Sequence, residues 1–89
     1  SIIFPVQLFM TALGNLFGDI IIHYADGSKF RGIYKNGKRN GKAIEETKDG
    51  TRFEGAYKDD LRDGNFVEKD SNGNVTATGM YVQGMREVK

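Results

Sequence analysis

The sequence repeats itself with a period of 23 residues, and its glycines mark the repeat. The stretch DGSKFRGIYKNGKRNG at 26–41 is followed by DGTRFEGAYKDDLRDG at 49–64, and NGNVTATGMYVQGM at 72–85 repeats the plan more loosely. All 12 glycines occupy one of four positions in the repeat. At one of these positions the middle copy has Asp60 instead of glycine. Such a period indicates a repeat architecture, in which each unit is one supersecondary element that shares its apolar face with its neighbours.

Length and composition narrow the class of protein. A chain of 89 residues forms one small domain with a limited core. Its net charge of +1 creates no general attraction for nucleic acid, so we predict no nucleic-acid partner. The absence of cysteine excludes disulfides, cysteine-ligated zinc and a thiol nucleophile. The first residue is Ser1 rather than Met, which favours a processed protein or a fragment of a longer one.

The N-terminal stretch SIIFPVQLFMTALGNLF, residues 1–17, is apolar and uncharged. A membrane-spanning helix needs about 20 apolar residues, and polar residues and a proline interrupt this run, so a transmembrane segment is disfavoured. We predict an apolar cap over the end of a small sheet, or a processed segment, because terminal units of repeat proteins are atypical. The periodicity is compatible with a helix from about Val6 to Leu13 or with a strand pair. The remainder, 18–89, is predicted to hold three units, at about 18–40, 41–63 and 64–89.

Three dipeptides predict β-hairpins: Asp26-Gly27, Asp49-Gly50 and Asn72-Gly73. Such pairs favour a two-residue type I′ turn, in which both central residues have positive φ. In the second strand of the third unit, Gly79 lies one residue later than the repeat period requires. This extra residue predicts a β-bulge between Asn74 and Gly79. The predicted hairpins join residues 19–25 to 28–35, 42–48 to 51–58, and 65–71 to 74–82.

A two-residue turn also predicts which side chains share a face. It pairs Ile21 with Gly32 and Ile44 with Gly55, so each isoleucine shares a face with the aromatic residues of the following strand. The same register places His23 opposite Phe30, and Glu45 opposite Glu54. The predicted core face carries Ile21, Phe30, Tyr34, Ile44, Phe53, Tyr57, Val67 and Tyr81.

The segments YADGSKFRGIYKNGKRNGKA and KDGTRFEGAYKDDLRDG resemble MORN repeats, whose pattern is roughly Y-x-[DN]-G-x-x-[YF]-x-G-x-[WFY]-x-x-G-x-x-x-G. The resemblance covers residues 18–85. Its tryptophan-poor form is similar to bacterial YwqK-like repeats and to the repeat module that precedes some SET-domain lysine methyltransferases. It implies an all-β fold of successive antiparallel β-hairpins in a single-layer sheet. The matching positions are Tyr24, Asp26, Gly27, Phe30, Gly32, Tyr34, Gly37 and Gly41 in the first copy, and Asp49, Gly50, Phe53, Gly55, Tyr57 and Gly64 in the second.

Few residues suggest catalysis or metal binding. His23 is the single histidine, and no Ser or Asp completes a nucleophilic arrangement around it. Residues 68–73, EKDSNG, mimic the start of an EF-hand loop, but the twelfth position is Gly79 instead of the bidentate Glu. We predict no enzymatic activity, no metal, no cofactor and no small-molecule substrate.

Charge is distributed unevenly along the chain. Residues 29–42 contain six basic side chains and no acidic one, whereas residues 43–70 contain nine acidic and five basic side chains. We predict a non-enzymatic protein-binding or scaffolding module, which binds a protein partner or a second copy of the chain through outward-facing residues. The predicted binding residues are Arg31, Lys35, Lys38, Arg39, Lys42, Arg52 and Glu54.

Two alternative functions are compatible with the sequence. A basic loop around KNGKRNGK would attract an anionic lipid headgroup, at about 1 kcal/mol for each basic residue near the surface. The MORN resemblance implies phosphoinositide binding, which is ascribed to some members, and here it would use Lys35, Lys38, Arg39 and Lys42. The other alternative is a targeting fragment of a larger enzyme. We expect a cytoplasmic or peripheral-membrane location.

Overall fold

The computed structural model describes residues 9–10 and 16–87. These residues form one antiparallel sheet whose strand order follows the chain, except that the short β6 pairs with β5 beside β7. The prediction of successive antiparallel hairpins in a single-layer, all-β sheet is confirmed. The nine strands are β1 (Phe9–Met10), β2 (Leu16–His23), β3 (Lys29–Lys35), β4 (Lys38–Glu46), β5 (Arg52–Lys58), β6 (Leu61–Arg62), β7 (Gly64–Lys69), β8 (Val75–Val82) and β9 (Met85–Glu87).

Most of the predicted N-terminal cap, residues 1–8 and 11–15, lies outside the described residues. Phe9 and Met10 pair with Phe17 and Leu16 of β2 as a short strand. No helix in the described part of the chain is long and apolar enough to cross a membrane.

The Asp-Gly and Asn-Gly turns are one residue longer than predicted. In the first hairpin the Tyr24 N–H donates to the Ser28 carbonyl at 2.9 Å, and the Gly27 N–H donates to the Tyr24 carbonyl at 3.1 Å. Only Gly27 of this loop has a positive φ, of 93°. The loop is therefore a type I turn followed by one glycine in the left-handed region. The loops at Gly50 and Gly73 repeat the same bonds, so the predicted two-residue turns are wrong at all three places.

Two-residue type I′ turns occur at the other end of the strands instead. Both central residues have positive φ at Asn36-Gly37, Asp59-Asp60 and Gln83-Gly84. These turns connect β3 to β4, β5 to β6 and β8 to β9. The sequence KNGK, interpreted above as part of a basic loop, is thus a tight turn between two strands.

The extra residue in each longer loop reverses the face of the strand before it, because side chains alternate between faces with a period of two. Ile20 pairs with Gly32 and Ile22 with Phe30, so these two isoleucines are buried and Ile21 lies on the opposite face. In the same way Ala43 and Phe66 are buried where Ile44 and Val67 were predicted. Two other predicted pairings are also wrong. His23 pairs with Lys29 instead of Phe30, and Glu45 and Glu54 pair with Phe53 and Ile44 instead of with each other.

The backbone departs from regular pairing in two places. The predicted bulge in the third unit is confirmed, because Glu68 pairs with Ala77 and Lys69 with Val75, which leaves Thr76 between them without a partner. A second irregularity, which the sequence did not predict, lies in β4 between the partners of Gly32 and Tyr34. It contains Gly41, whose φ of 112° belongs to the left-handed region that favours glycine.

One face of the sheet is its core, and we call it the aromatic face. Neighbouring rings on it contact one another, with centroids 5.0 Å apart for the tilted pair Phe66 and Tyr81 and 5.8 Å apart for the stacked pair Phe53 and Phe66. Gly55 gives one ring its space, because a Cβ there would lie 2.6 Å from the Phe53 ring. Burial of each large side chain contributes about 1.5–3 kcal/mol, so this face holds the sheet together. Its members are Leu16, Ile20, Ile22, Phe30, Tyr34, Ala43, Phe53, Tyr57, Phe66, Ala77 and Tyr81.

Candidate binding surface

The opposite side of the sheet, which we call the outer face, exposes apolar side chains among charged ones. Ile33 and Ile44 are 44% and 37% exposed, although both lie within central strands. Cross-strand pairing places apolar and charged residues alternately in a row across five strands. The row reads Ile21, Arg31, Ile44, Glu54 and Val67.

A groove of about 630 Å³ runs over the outer face. Its apolar lining includes Ile33, Ile44 and Val67, and Gly32 and Gly55 form part of its floor. Side chains of both charge signs line the same groove: Asp19, Arg31, Lys42 and Glu54. A shallow apolar depression with charged residues around it is typical of a protein-binding surface.

The charged side chains of the outer face form ion pairs that differ in exposure. Arg31 lies 3.5 Å from Asp19, and both side chains are more than half exposed, so this ion pair adds little to stability. Glu54 lies 3.2 Å from Lys69 and 3.9 Å from Arg52. The predicted binding residues Arg31, Arg52 and Glu54 therefore share one face, on which Arg31 is the most exposed of the three and Arg52 Nε is buried.

Three predicted lysines lie at the Asn36-Gly37 end of the outer face. Lys35 and Lys38 pair directly across the type I′ turn, and Lys42 follows on β4. All three are exposed. Like charges directly opposite each other in a sheet repel, so a bound anion would stabilise this arrangement.

Arg39 does not join these lysines. Its Nε and backbone N–H donate to the Asp60 carboxylate at 3.0 and 2.9 Å, and its guanidinium lies over the Tyr57 ring at 4.4 Å from the centroid. The backbone hydrogen bond from Arg39, more than its charge, lowers the pKa of Asp60. Arg39 therefore lies on the aromatic face, apart from the other predicted binding residues, and pairs with Asp60. Asp60 replaces the repeat's glycine at a φ of 71°, where its carboxylate gains these bonds.

Arg62 lies on the aromatic face and is not among the residues predicted from the sequence. Its guanidinium lies 3.8 Å from the Phe53 ring centroid and donates to Glu45 at 3.3 Å, to the Tyr57 hydroxyl at 3.3 Å and to the Tyr81 hydroxyl at 3.2 Å. The Tyr57 hydroxyl in turn donates to Glu45. Burial opposes the charge on Arg62, but these hydrogen bonds outweigh it and raise the pKa of its guanidinium. Burial, and then the bond to Glu45, raises the pKa of Tyr57.

The same arrangement recurs along the sheet. Arg86 lies over the Phe66 ring at 4.7 Å and 3.3 Å from Glu68, as Arg62 lies over Phe53 beside Glu45. These arginines and carboxylates recur at the repeat spacing, with the third unit one residue late, which is the sequence signal that would have identified them. The arginines of the aromatic face thus each combine a ring contact with an ion pair on the same sheet.

Within residues 9–10 and 16–87, no three His, Cys, Asp or Glu side chains lie close enough together to hold a metal ion. His23 lies on the outer face, opposite Lys29.

Comparison with known proteins agrees with the repeat. The family model described as "MORN repeat" matches residues 30–52 and 53–75, which together are 46 of the 89 residues. Each match has the length of the repeat found in the sequence. A search of curated proteins returned no match.

Proposed function

The chain belongs to the MORN repeat family, whose repeats serve as binding modules, and we propose that it binds a protein partner through its outer face. The observation that carries this proposal is the exposure of Ile33 and Ile44 beside the groove. Apolar side chains at the centre of a sheet normally lie against another layer, and an uncovered apolar surface rimmed by polar residues favours protein binding.

The charges support a protein rather than a polyanion as the partner. The groove is lined by two basic and two acidic side chains, Arg31 and Lys42 together with Asp19 and Glu54. Nucleic acid is bound by surfaces of one sign, whereas charges of both signs fix the register of a protein partner.

The test replaces the two apolar side chains of the groove. We expect the Ile33→Ser/Ile44→Ser variant to lose proteins that the unaltered chain captures from cells of its source, as quantified by mass spectrometry. The matched control Ala25→Ser/Val75→Ser removes exposed apolar groups away from the groove and should capture the same proteins as the unaltered chain. Equal capture by the groove variant and the control would refute the outer face as the binding surface.

Attachment to an anionic lipid is a second candidate. Its support is the group formed by Lys35, Lys38 and Lys42, which are exposed together at one end of the outer face. Each contributes about 1 kcal/mol near an anionic surface, so three of them bind a membrane weakly. Arg39 does not contribute, because its guanidinium is bound to Asp60.

Flotation with vesicles separates this candidate from protein binding. We expect the chain to float with vesicles that contain phosphoinositide and not with neutral ones, and Lys35→Glu/Lys38→Glu to remove flotation. The control Lys29→Glu/Lys48→Glu makes the same change in charge at exposed positions near the opposite ends of the strands. Flotation that is absent, or equally reduced by both variants, would leave protein binding as the single candidate.

A further inference from the structure

The row of the outer face centred on Ile44 is symmetric in residue type. Ile44 on β4 lies between Arg31 on β3 and Glu54 on β5. The next strand outward on each side contributes an aliphatic residue, Ile21 on β2 and Val67 on β7. In either direction the row runs aliphatic, charged, aliphatic, charged, aliphatic. The two halves of the row differ in the sign of their charge.

This symmetry makes the row complementary to itself. A two-fold axis that runs along β4 at Ile44 turns a second copy over the first and reverses the order of its strands. Arg31 then faces Glu54 of the second copy, and Ile21 faces its Val67. The two Ile44 side chains meet on the axis. A two-fold interface forms each off-axis contact twice, and both charged contacts are attractive.

The dimensions of packed sheets suit these contacts. Two facing sheets lie about 10 Å apart with their strands within about 30° of each other, and side chains from both inner faces fill the gap. Arg31 lies 3.5 Å from Asp19, and Glu54 lies 3.2 Å from Lys69. Contact between Arg31 and Glu54 of the second copy would therefore join two ion pairs into a network of four charges. Such networks stabilise more than isolated surface pairs.

The neighbouring positions along the strands are charged and form a rim around this row. Glu46 follows Ile44 on β4 and is flanked by Lys29 and Arg52. The same axis brings two such groups together, so that two carboxylates lie among four cations. On the other side of Ile44 lies Lys42, which is exposed and whose long side chain can extend to solvent.

We propose that the partner of the outer face is a second copy of this chain, bound face to face about a two-fold axis at Ile44. This inference rests on the proposed function, because it names the partner of the same surface. Five strands about 4.8 Å apart and about 20 Å of strand length give a patch of about 400–500 Å² on each copy. Stable interfaces bury about 1,200–2,000 Å² in total, so the dimer is weak and reversible.

Contact between Ile21 and Val67 tests the axis directly. Within one chain these residues are four strands apart, at about 19 Å, which is far beyond the reach of a nuclear Overhauser effect. We expect an Overhauser cross-peak between their methyl groups in a concentrated mixture of isotope-labelled and unlabelled full 89-residue chains. Absence of this cross-peak at a concentration where sedimentation finds a dimer would overturn the proposed axis.

Charge reversal tests the complementarity. Arg31→Glu and Glu54→Arg each place like charges opposite one another at both contacts, so each should weaken self-association by at least about tenfold. An equimolar mixture of the two variants should associate as the unaltered chain does. In that mixture one contact joins the two substituted side chains and the other joins the two original ones, and both are attractive. Sedimentation equilibrium over a range of concentrations measures each association.

The controls Lys48→Glu and Asp49→Arg make the same changes of charge at exposed loop positions and should leave association unchanged. A mixture of Arg31→Glu and Glu54→Arg that associates no better than either variant alone would overturn the proposal. A monomeric unaltered chain whose Ile33→Ser/Ile44→Ser variant still loses captured proteins would overturn the second copy as the partner and leave the proposed function intact.

Discussion

The two faces of the sheet carry similar residue types, but these residues differ in burial and in the contacts that they make. On the aromatic face, Arg39, Arg62 and Arg86 lie over rings, with centroid distances of 4.4, 3.8 and 4.7 Å, and each pairs with a carboxylate. On the outer face, Arg31 pairs with Asp19 through side chains that are both more than half exposed. The arginines that cover a ring thus make two kinds of contact with the sheet, a ring contact and an ion pair, whereas Arg31 makes one exposed ion pair.

The same difference applies to the apolar residues. Phe53 is 6% exposed beneath Arg62, whereas Ile44 on the neighbouring strand is 37% exposed. Ile44 pairs with Glu54, and the next pair along the two strands is Glu45 with Phe53. Because side chains alternate between faces, Ile44 and Phe53 therefore lie on opposite sides of the sheet. Stability is thus concentrated on one side of a single layer, which leaves the other side free for function.

Truncation of one apolar residue on each face gives the largest expected contrast. Phe53→Ala should lower the free energy of unfolding by about 3–5 kcal/mol, because it removes buried ring contacts and leaves a cavity. Ile44→Ala should cost less than about 1 kcal/mol, since the side chain is partly solvated in the folded state. Urea denaturation followed by circular dichroism measures both. The comparison of faces fails if Ile44→Ala costs as much as Phe53→Ala.

Truncation of one arginine on each face should give a smaller contrast. We expect Arg62→Ala to cost about 2 kcal/mol, because it leaves Glu45 without its cation and uncovers Phe53. Arg31→Ala should change stability by less than about 0.5 kcal/mol. Arg62→Lys is the control, and it should recover only part of the loss, since an ammonium cannot donate to Glu45 and both tyrosines in one plane. Equal costs for Arg62→Ala and Arg31→Ala would contradict the structural role of Arg62.

The pH dependence gives the smallest effect and concerns the aromatic face alone. Burial, followed by the bond to Glu45, raises the pKa of Tyr57 above its ordinary value of 10.0. A raised pKa means that the fold favours the neutral phenol, so this contribution is fully present below pH 10 and is lost as pH rises through the folded pKa. The change is measured by urea denaturation at a series of alkaline pH values.

Tyr57→Phe provides the control for this pH effect. It should be less stable near neutral pH by about 1 kcal/mol, through loss of the hydroxyl bonds, but should lose less stability between neutral and alkaline pH. A variant whose stability falls as steeply as that of the unaltered chain would assign the alkaline loss to another group.

Much of the fold was predictable from local pattern. The period of the glycines and aromatics predicted successive hairpins, and the late Gly79 predicted the bulge that the structure has at Thr76. The register was not predictable, because an Asp-Gly pair fits both a two-residue type I′ turn and the last two positions of a three-residue loop. Only the bonds of the folded loop, such as Tyr24 N–H to the Ser28 carbonyl, distinguish them.

The candidate site was predictable in part for the same reason. Six of the seven predicted residues lie on the outer face. Alternation along β3 and β5 was enough to place Arg31, Lys35, Arg52 and Glu54 there, whereas the predicted face of β4, which carries Lys42, was reversed. Arg39 was misplaced because its partner Asp60 is 21 residues away, in a turn whose position depends on the sheet. Arg62 was missed because its contacts to Glu45 and Tyr81 join three different strands.

The sequence by itself determined the repeat, its period of 23 residues, the hairpins and the residue types available to each face. These properties depend on backbone conformations and side-chain alternation that act over a few neighbouring residues. Tertiary structure decided which isoleucines are buried and which arginines are free. A loop longer by one residue exchanges the two faces of a strand, and only the packing of several strands together selects that loop length.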